Sequence, residues 1–284
     1  MQIILFACAA VSAVVVLAIF YALFNEGAPV INNWIMHGFG MYWNGANLVG
    51  VIPLIFTTFY FGFGCTLVAT AIGLPCAIYL AEFADERIRN IVKPSLEVLT
   101  GIPSVIFGLI GIALAVEAVS LAAGGGTGGG MLTIWIVVGV MSLPTVASIS
   151  EDAIRAVPKD LREASLGLGA TRWQTTEKVV IPVAIPGILT AVLLGMGNAV
   201  GETMAVLMII GANPTPPISL DILHNTGLIP PVIVSSVMGE AGYQINRSIA
   251  ALAVILFVII AVLNLMIRAI IRRGNQQSGA NKKN

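Results

Sequence analysis

Residues 151–182 read EDAIRAVPKDLREASLGLGATRWQTTEKVVIP and form the most polar part of the chain. Residues 131–150 before this stretch and 183–212 after it are apolar runs. A helix needs about 20 apolar residues to cross a bilayer, so the polar stretch joins two membrane spans. Working outward, four further runs of the same kind occur at 3–24, 53–81, 95–122 and 248–271. The sequence therefore predicts an all-α integral membrane protein with six transmembrane helices. The spans at 53–81, 95–122 and 183–212 exceed the length needed and carry Gly or Pro, which predicts tilted or bent helices.

Composition excludes the soluble alternatives. Of 284 residues, 57% are hydrophobic and only 10% charged, where a soluble domain carries about 25% charge. The mean hydropathy is +0.95, and a net charge of zero argues against nucleic acid as a partner. Cys8, Cys65 and Cys76 all lie in apolar runs and read as small packing residues, not as a disulfide framework. The first span lacks a basic start and a small-residue cleavage site, so it is expected to stay as a membrane helix.

Thirteen of the fourteen basic residues fall after the second span, after the fourth span or near the C-terminal end; Arg247 is the exception. Positive residues stay in the cytoplasm, so the expectation is a multi-pass protein of the cell membrane with both termini cytoplasmic. The chain divides into a first helix and outer segment (1–52), a transmembrane domain (53–272) containing the loop 151–182, and a polar tail (273–284) expected to be disordered. The outer segments 25–52 and 213–247 are expected to form interfacial caps or short helices.

Enzymatic signatures are missing. There is no phosphate-cradling G-x-x-x-x-G-K-[ST] loop, and GGGTGGG at 124–130 has no lysine after it and reads as a flexible turn. His37 and His224 sit in separate outer segments without companion metal ligands. The chain is expected to be no enzyme and to bind no cofactor itself.

Within the polar loop, Pro158 and Pro182 bracket a segment long enough for helix–turn–helix, with Gly167 and Gly169 supplying the turn. Leu161, Ala164, Leu168 and Trp173 give it a partial apolar face. Such a helix either lies on the membrane surface or is buried by another protein.

The loop resembles the permease subunits of ABC importers. Their last large cytoplasmic loop carries E-A-A, three residues, G, nine residues, then I-x-L-P. Here the matching residues are Glu163-Ala164-Ser165, Gly169 and Val179-Val180-Ile181-Pro182, with Ser for the second Ala, Val for Ile and Ile for Leu. The resemblance implies a type I importer permease fold and a coupling helix that docks on an ATP-binding subunit through Glu163, Ala164, Ser165, Gly169, Thr171 and Arg172. It further implies two such subunits, which would bind ATP and Mg, a second permease and an extracytoplasmic binding protein.

GIPSVIFG (101–108) and GETMAVLMIIG (201–211) resemble the phosphate branch of these permeases, and GETMAV resembles the PstC type more than its PstA sister. That resemblance implies inorganic phosphate as substrate, a PstA-like second permease and a phosphate-binding protein. Sulfate or molybdate is the alternative within the class; a stand-alone channel or an ion-coupled transporter is the alternative outside it. Asn198 and Glu202 are four apart and are expected on one face of the fifth span near mid-membrane, where an ionisable residue points to function. With Ser104 and Thr203 they are the candidate translocation residues; Ser142, Thr145 and Ser148 offer further hydroxyls. The phosphate family has Arg where this chain has Asn198, and no Lys or Arg lies deep in a span.

Overall fold

Continuous apolar runs leave the backbone no hydrogen-bonding partner in lipid except itself, so each folds as helix. The computed structural model describes residues 2–37, 51–125, 128–211, 220–224, 227–239 and 247–280, and these residues form helices joined by short turns. Among the described residues, six helical stretches are long and apolar enough to cross a membrane: Ile4–Asn32, Val51–Phe83, Ser104–Ala122, Met131–Arg155, Arg172–Val200 and Ile249–Ile271.

The described residues cluster into two units. One draws on 1–58, 212–220 and 226–259. In it α1 (Gln2–His37) meets α12 (Arg247–Ala280) at Gly27, where an added Cβ would lie 2.9 Å from the backbone N and Cα of Ala251. Phe20 and Phe257 pack nearby in a tilted pair with centroids 4.7 Å apart. α11 (Ile229–Gly239) is a short helix within the segment 213–247, where interfacial caps or short helices are expected. Its first amide, on Ile229, donates to Thr58 Oγ1 at 3.2 Å.

The second unit draws on 59–211, 221–225 and 260–284. Its centre is α6 (Met131–Arg155), with α9 (Ile181–Val200) packed along it. α2 (Val51–Ile78), extended by a π-helical turn at Tyr79–Phe83, meets α6 through small residues. A Cβ on Gly64 would sit 2.0 Å from the Trp135 ring, and one on Gly139 would sit 2.8 Å from Val68. Ala77, Ile154, Val157, Val180, Ala184 and Ile188 close the core at one end. At the other end the 221–224 turn lies on the start of α6, with the Leu132 amide donating to Ile222 O at 2.7 Å. His224 there pairs with Asp221 at 2.7 Å.

Four expectations are corrected. The run 95–122 is not one span. α3 (Glu86–Thr100) is a separate amphipathic helix, the chain breaks at Gly101–Pro103, and the span starts with α4 (Ser104–Ile110). Pro103 has no amide to donate to a continuing helix and disfavours the helical conformation at the residue before it, while the apolar composition runs on unbroken. A π-helical turn at Gly111–Val116 leads from α4 into α5 (Glu117–Ala122). The run 183–212 is likewise interrupted at Gly201–Thr203, between α9 and α10 (Met204–Ile210). α1 continues beyond residue 24 to His37, and α12 runs through the tail to Ala280. Once a long helix is nucleated, each further residue adds a hydrogen bond, which carries both helices on through polar positions. Residues 38–50, 126–127 and 281–284 lie outside the described residues.

Candidate functional site

The polar loop folds as the helix–turn–helix its prolines and glycines predict. Pro158 supplies the extended N-cap of α7 (Lys159–Gly167). Gly169 has φ +87°, a left-handed conformation that a Cβ disfavours, so it turns the chain back. Thr171 then opens α8 (Arg172–Thr175) with a capping box: the Gln174 amide donates to Thr171 Oγ1 at 3.2 Å, and the Thr171 amide donates to Gln174 Oε1 at 2.9 Å. A π-helical turn at Thr176–Val180 carries α8 into α9. The Ser165 and Thr175 hydroxyls, 2.9 Å apart, tie α7 to α8.

α7 buries none of its residues. Glu163 and Ala164 face solvent, Ser165 is half-buried, and Thr171 and Arg172 are exposed. Leu168 is 90% exposed and Trp173 57%; Trp173 also lies against Phe83, with centroids 6.1 Å apart. Between the helices, Glu82, Arg162, Leu166, Arg172 and Thr175 line an open groove. The loop is thus hydrogen-bonded to neighbouring helices and leaves Leu168 and Trp173 exposed.

Two ion networks underlie it, and sequence reasoning missed both. Glu151, 1% exposed near the end of α6, receives Arg89 Nε at 2.8 Å and Lys93 Nζ at 2.6 Å, both from α3. Lys93 also bonds the exposed Asp152. Burial alone would depress the Lys93 ammonium, but the hydrogen bonds to Asp152 and Glu151 outweigh it and raise its pKa. In the second network Arg162 of α7 bonds Glu82 at 2.8 Å. The partners are 58 to 80 positions apart, beyond the reach of any local pattern.

The candidate translocation residues gather at the two helix breaks. α4 and α10 pack closely: a Cβ on Gly108 would lie 3.1 Å from Ala205 Cα and 2.9 Å from Met208 Sδ, and one on Gly111 would lie 2.8 Å from Ile209. Residue numbers rise together along both helices, so α4 and α10 run parallel and start at the same end. Ser104 begins α4; Glu202 and Thr203 immediately precede α10. The two motifs singled out in the sequence therefore meet in space.

Asn198 and Glu202 do not share a helix face. Asn198 is exposed in the last turn of α9, whereas Glu202 lies in the break. There its Oε1 accepts the Ala205 amide at 3.1 Å, satisfying one of the free donors at the start of α10. Thr203 Oγ1 donates to Gly201 O at 3.2 Å. Ser142 is buried on α6. The side chain of His37 lies outside the described residues.

Residues 73–275 match the family described as binding-protein-dependent transport system inner membrane component. A probable ABC transporter permease, YqgH of Bacillus subtilis, is 46% identical over 162 residues, 57% of this chain and 52% of the relative. The chain thus spans about half the length of that protein. The phosphate transport system permease protein PstC of Pasteurella multocida is 31% identical over 85% of this chain and 82% of its own. Among solved structures, an inward-facing MetNI methionine ABC transporter aligns with TM-score 0.62 at 21% identity, covering 79% of this chain and 95% of that one. This last likeness shows a shared fold.

Proposed function

Because the chain belongs to the binding-protein-dependent transport system inner membrane components, we propose that it is the permease subunit of an ATP-driven importer of inorganic phosphate. The observation that carries the reading is the hydrogen-bonded α7–α8 unit, which carries Glu163, Ala164, Ser165, Gly169, Thr171 and Arg172, has no fully buried residue in α7, and exposes Leu168 and Trp173. Apolar surface held in one conformation and left uncovered is what a docking partner needs. On this reading the partner is a pair of ATP-binding subunits, which hold ATP and Mg. Their closure pushes on the two coupling loops of a permease pair and alternates access to the path.

The second permease is a PstA-like chain, and an extracytoplasmic phosphate-binding protein delivers the anion. The loop 151–182 and both termini face the cytoplasm, in keeping with the distribution of basic residues. Phosphate as substrate is supported by the PstC relative and by the meeting of GIPSVIFG with GETMAVLMIIG. Ser104, Glu202 and Thr203 lie on the path at the paired helix breaks, with Asn198 in the last turn of α9 just before them. Sulfate or molybdate is the second reading, favoured by one observation: the neutral Asn198 in place of the arginine of the phosphate branch.

The docking claim is tested by cross-linking. A cysteine at Leu168, in a background without the three native cysteines, is expected to cross-link to co-expressed ATP-binding subunits, and a cysteine at His224 is not. Equal cross-linking from both positions would refute the orientation and the docking together.

A further inference from the structure

The proposed coupling role leaves open what fastens α7 to the membrane helices. Along the chain α7 is joined to α6 through the short connection Ala156–Pro158; the Ser165–Thr175 hydroxyl pair ties it to α8, and none of its residues is fully buried. A push on such a helix would be lost in bending that connection unless a side chain bridged it.

Arg162 bridges it. Its Nε and Nη2 donate to Glu82 Oε1 at 3.2 and 2.8 Å. Nη2 also donates to Ile154 O at 2.8 Å, and Nη1 donates to Val157 O. Ile154 stands in the last turn of α6 and Val157 in the connection that follows it, so these bonds grip the carbonyl end of that helix. Glu82 stands in the π-helical turn that ends the second span. One guanidinium therefore holds three elements: the coupling helix, the end of α6 and the end of α2. Both Arg162 and Glu82 are largely shielded from water, at 19% and 13% exposure, so solvent competes weakly for these bonds. A planar fork with donors in several directions suits this task, and the single ammonium of lysine does not.

Resting on the coupling reading above, we infer that Arg162 is the positioning residue that carries displacement of the coupling helix into the second and fourth membrane spans. Glu163, its neighbour, points outward to solvent. The motif thus has an outer face for the ATP-binding subunit and an inner face, Arg162, for the membrane helices.

The test uses the complete complex with its ATP-binding subunits and binding protein, comparing the parent with Arg162→Lys, Glu82→Gln and the exchange Arg162→Glu with Glu82→Arg. The primary readout is the number of anions taken up per ATP hydrolysed, which a residue needed only for folding would not change in an assembled complex. Arg162→Lys is expected to lower that ratio by about fivefold or more, the lower range of a coupling free energy, with assembly and basal ATP hydrolysis retained. Glu82→Gln keeps a carbonyl acceptor and is expected to lower it less. The exchanged pair restores opposite charges but sets a carboxylate against the carbonyls of Ile154 and Val157, so it is expected to stay uncoupled.

A second measurement is independent of the substrate. Hydrogen exchange in Arg162→Lys is expected to quicken together at α7 and at the last turn of α6, by about fivefold or more for a bond network of this strength. Parental ratios in Arg162→Lys and the exchanged pair, or unchanged exchange at α7, would overturn the inference. If the parent complex carries sulfate or molybdate, not phosphate, only the substrate assignment falls, and the same ratio is read with that anion.

Discussion

Replacing Glu151 by Gln removes the charge from the carboxylate that holds α3 against α6 while keeping its shape. Two charge-assisted bonds converge on this group, from Arg89 at 2.8 Å and Lys93 at 2.6 Å, and the carboxylate is 1% exposed. A hydrogen bond to a charged group contributes about 1.5–3 kcal/mol, but the two losses are unequal. Lys93 keeps Asp152 as a partner, whereas Arg89 is left facing a neutral amide. Both cations are also partly solvated, at 25% and 19% exposure, which lets them recover some hydration. The expected net loss is therefore about 2 kcal/mol, at the level of a single charged bond. Because α3 shows most of its surface outward, the loss should appear as local opening and leave the rest of the unit folded. Hydrogen exchange of the α3 amides in the detergent-solubilised protein is expected to quicken about 30-fold, the equivalent of that energy. Asp152→Asn, at an exposed carboxylate, is expected to change exchange by about twofold at most. Equal effects from the two variants, or no change in Glu151→Gln, would refute the claim that Glu151 anchors α3.

Three further outcomes follow from the geometry. The raised pKa of Lys93 means that its contribution is fully present below the ordinary lysine value of 10.5 and is lost as pH rises through the higher folded value; exchange of α3 should therefore be insensitive to pH-driven opening through neutral pH and show it only in strong alkali. Gly108→Val would drive a side chain into Ala205 and Met208 and is expected to destabilise the α4–α10 pair by about 1–3 kcal/mol, read as a lower Tm, whereas Gly167→Ala meets nothing within 4 Å and should leave Tm unchanged. Glu202→Ala removes the acceptor for the Ala205 amide and should quicken its exchange about fivefold for a lost cap of about 1 kcal/mol; Glu202→Gln keeps a carbonyl there, so any change it makes in transport reports the charge and not the cap.

The spans were legible because hydrophobicity over some twenty residues leaves a chain little choice, and α6 and α9 lie where the apolar runs lie. The α7–α8 unit was legible for a different reason: Pro158 and Gly169 each dictate a local backbone state, and the structure places them at the start of α7 and in the turn after it, whereas the capping box at Thr171 comes from the structure alone. The helix breaks at Gly101–Pro103 and Gly201–Thr203 were hidden, since hydropathy runs across them unchanged. GIPS and GET stand out in the sequence as motifs but not as interruptions. Glu202 shows the consequence: assigned to a continuous helix it paired with Asn198, while in the break it caps α10. The networks of Glu151 and Arg162 were illegible because their partners come from helices that only tertiary packing brings together. Composition had marked 151–182 as the polar loop, yet Glu151 is among the most buried side chains of its unit.

The central claim, a permease that moves phosphate at the expense of ATP, is tested most directly by uptake of radiolabelled phosphate. The assembled complex is reconstituted in vesicles with its binding protein outside and ATP inside. The account predicts accumulation that requires ATP, is abolished by excess unlabelled phosphate and is unaffected by equal sulfate or molybdate. Uptake that proceeds without ATP would contradict the transport mechanism, and uptake competed equally by sulfate or molybdate would contradict the substrate.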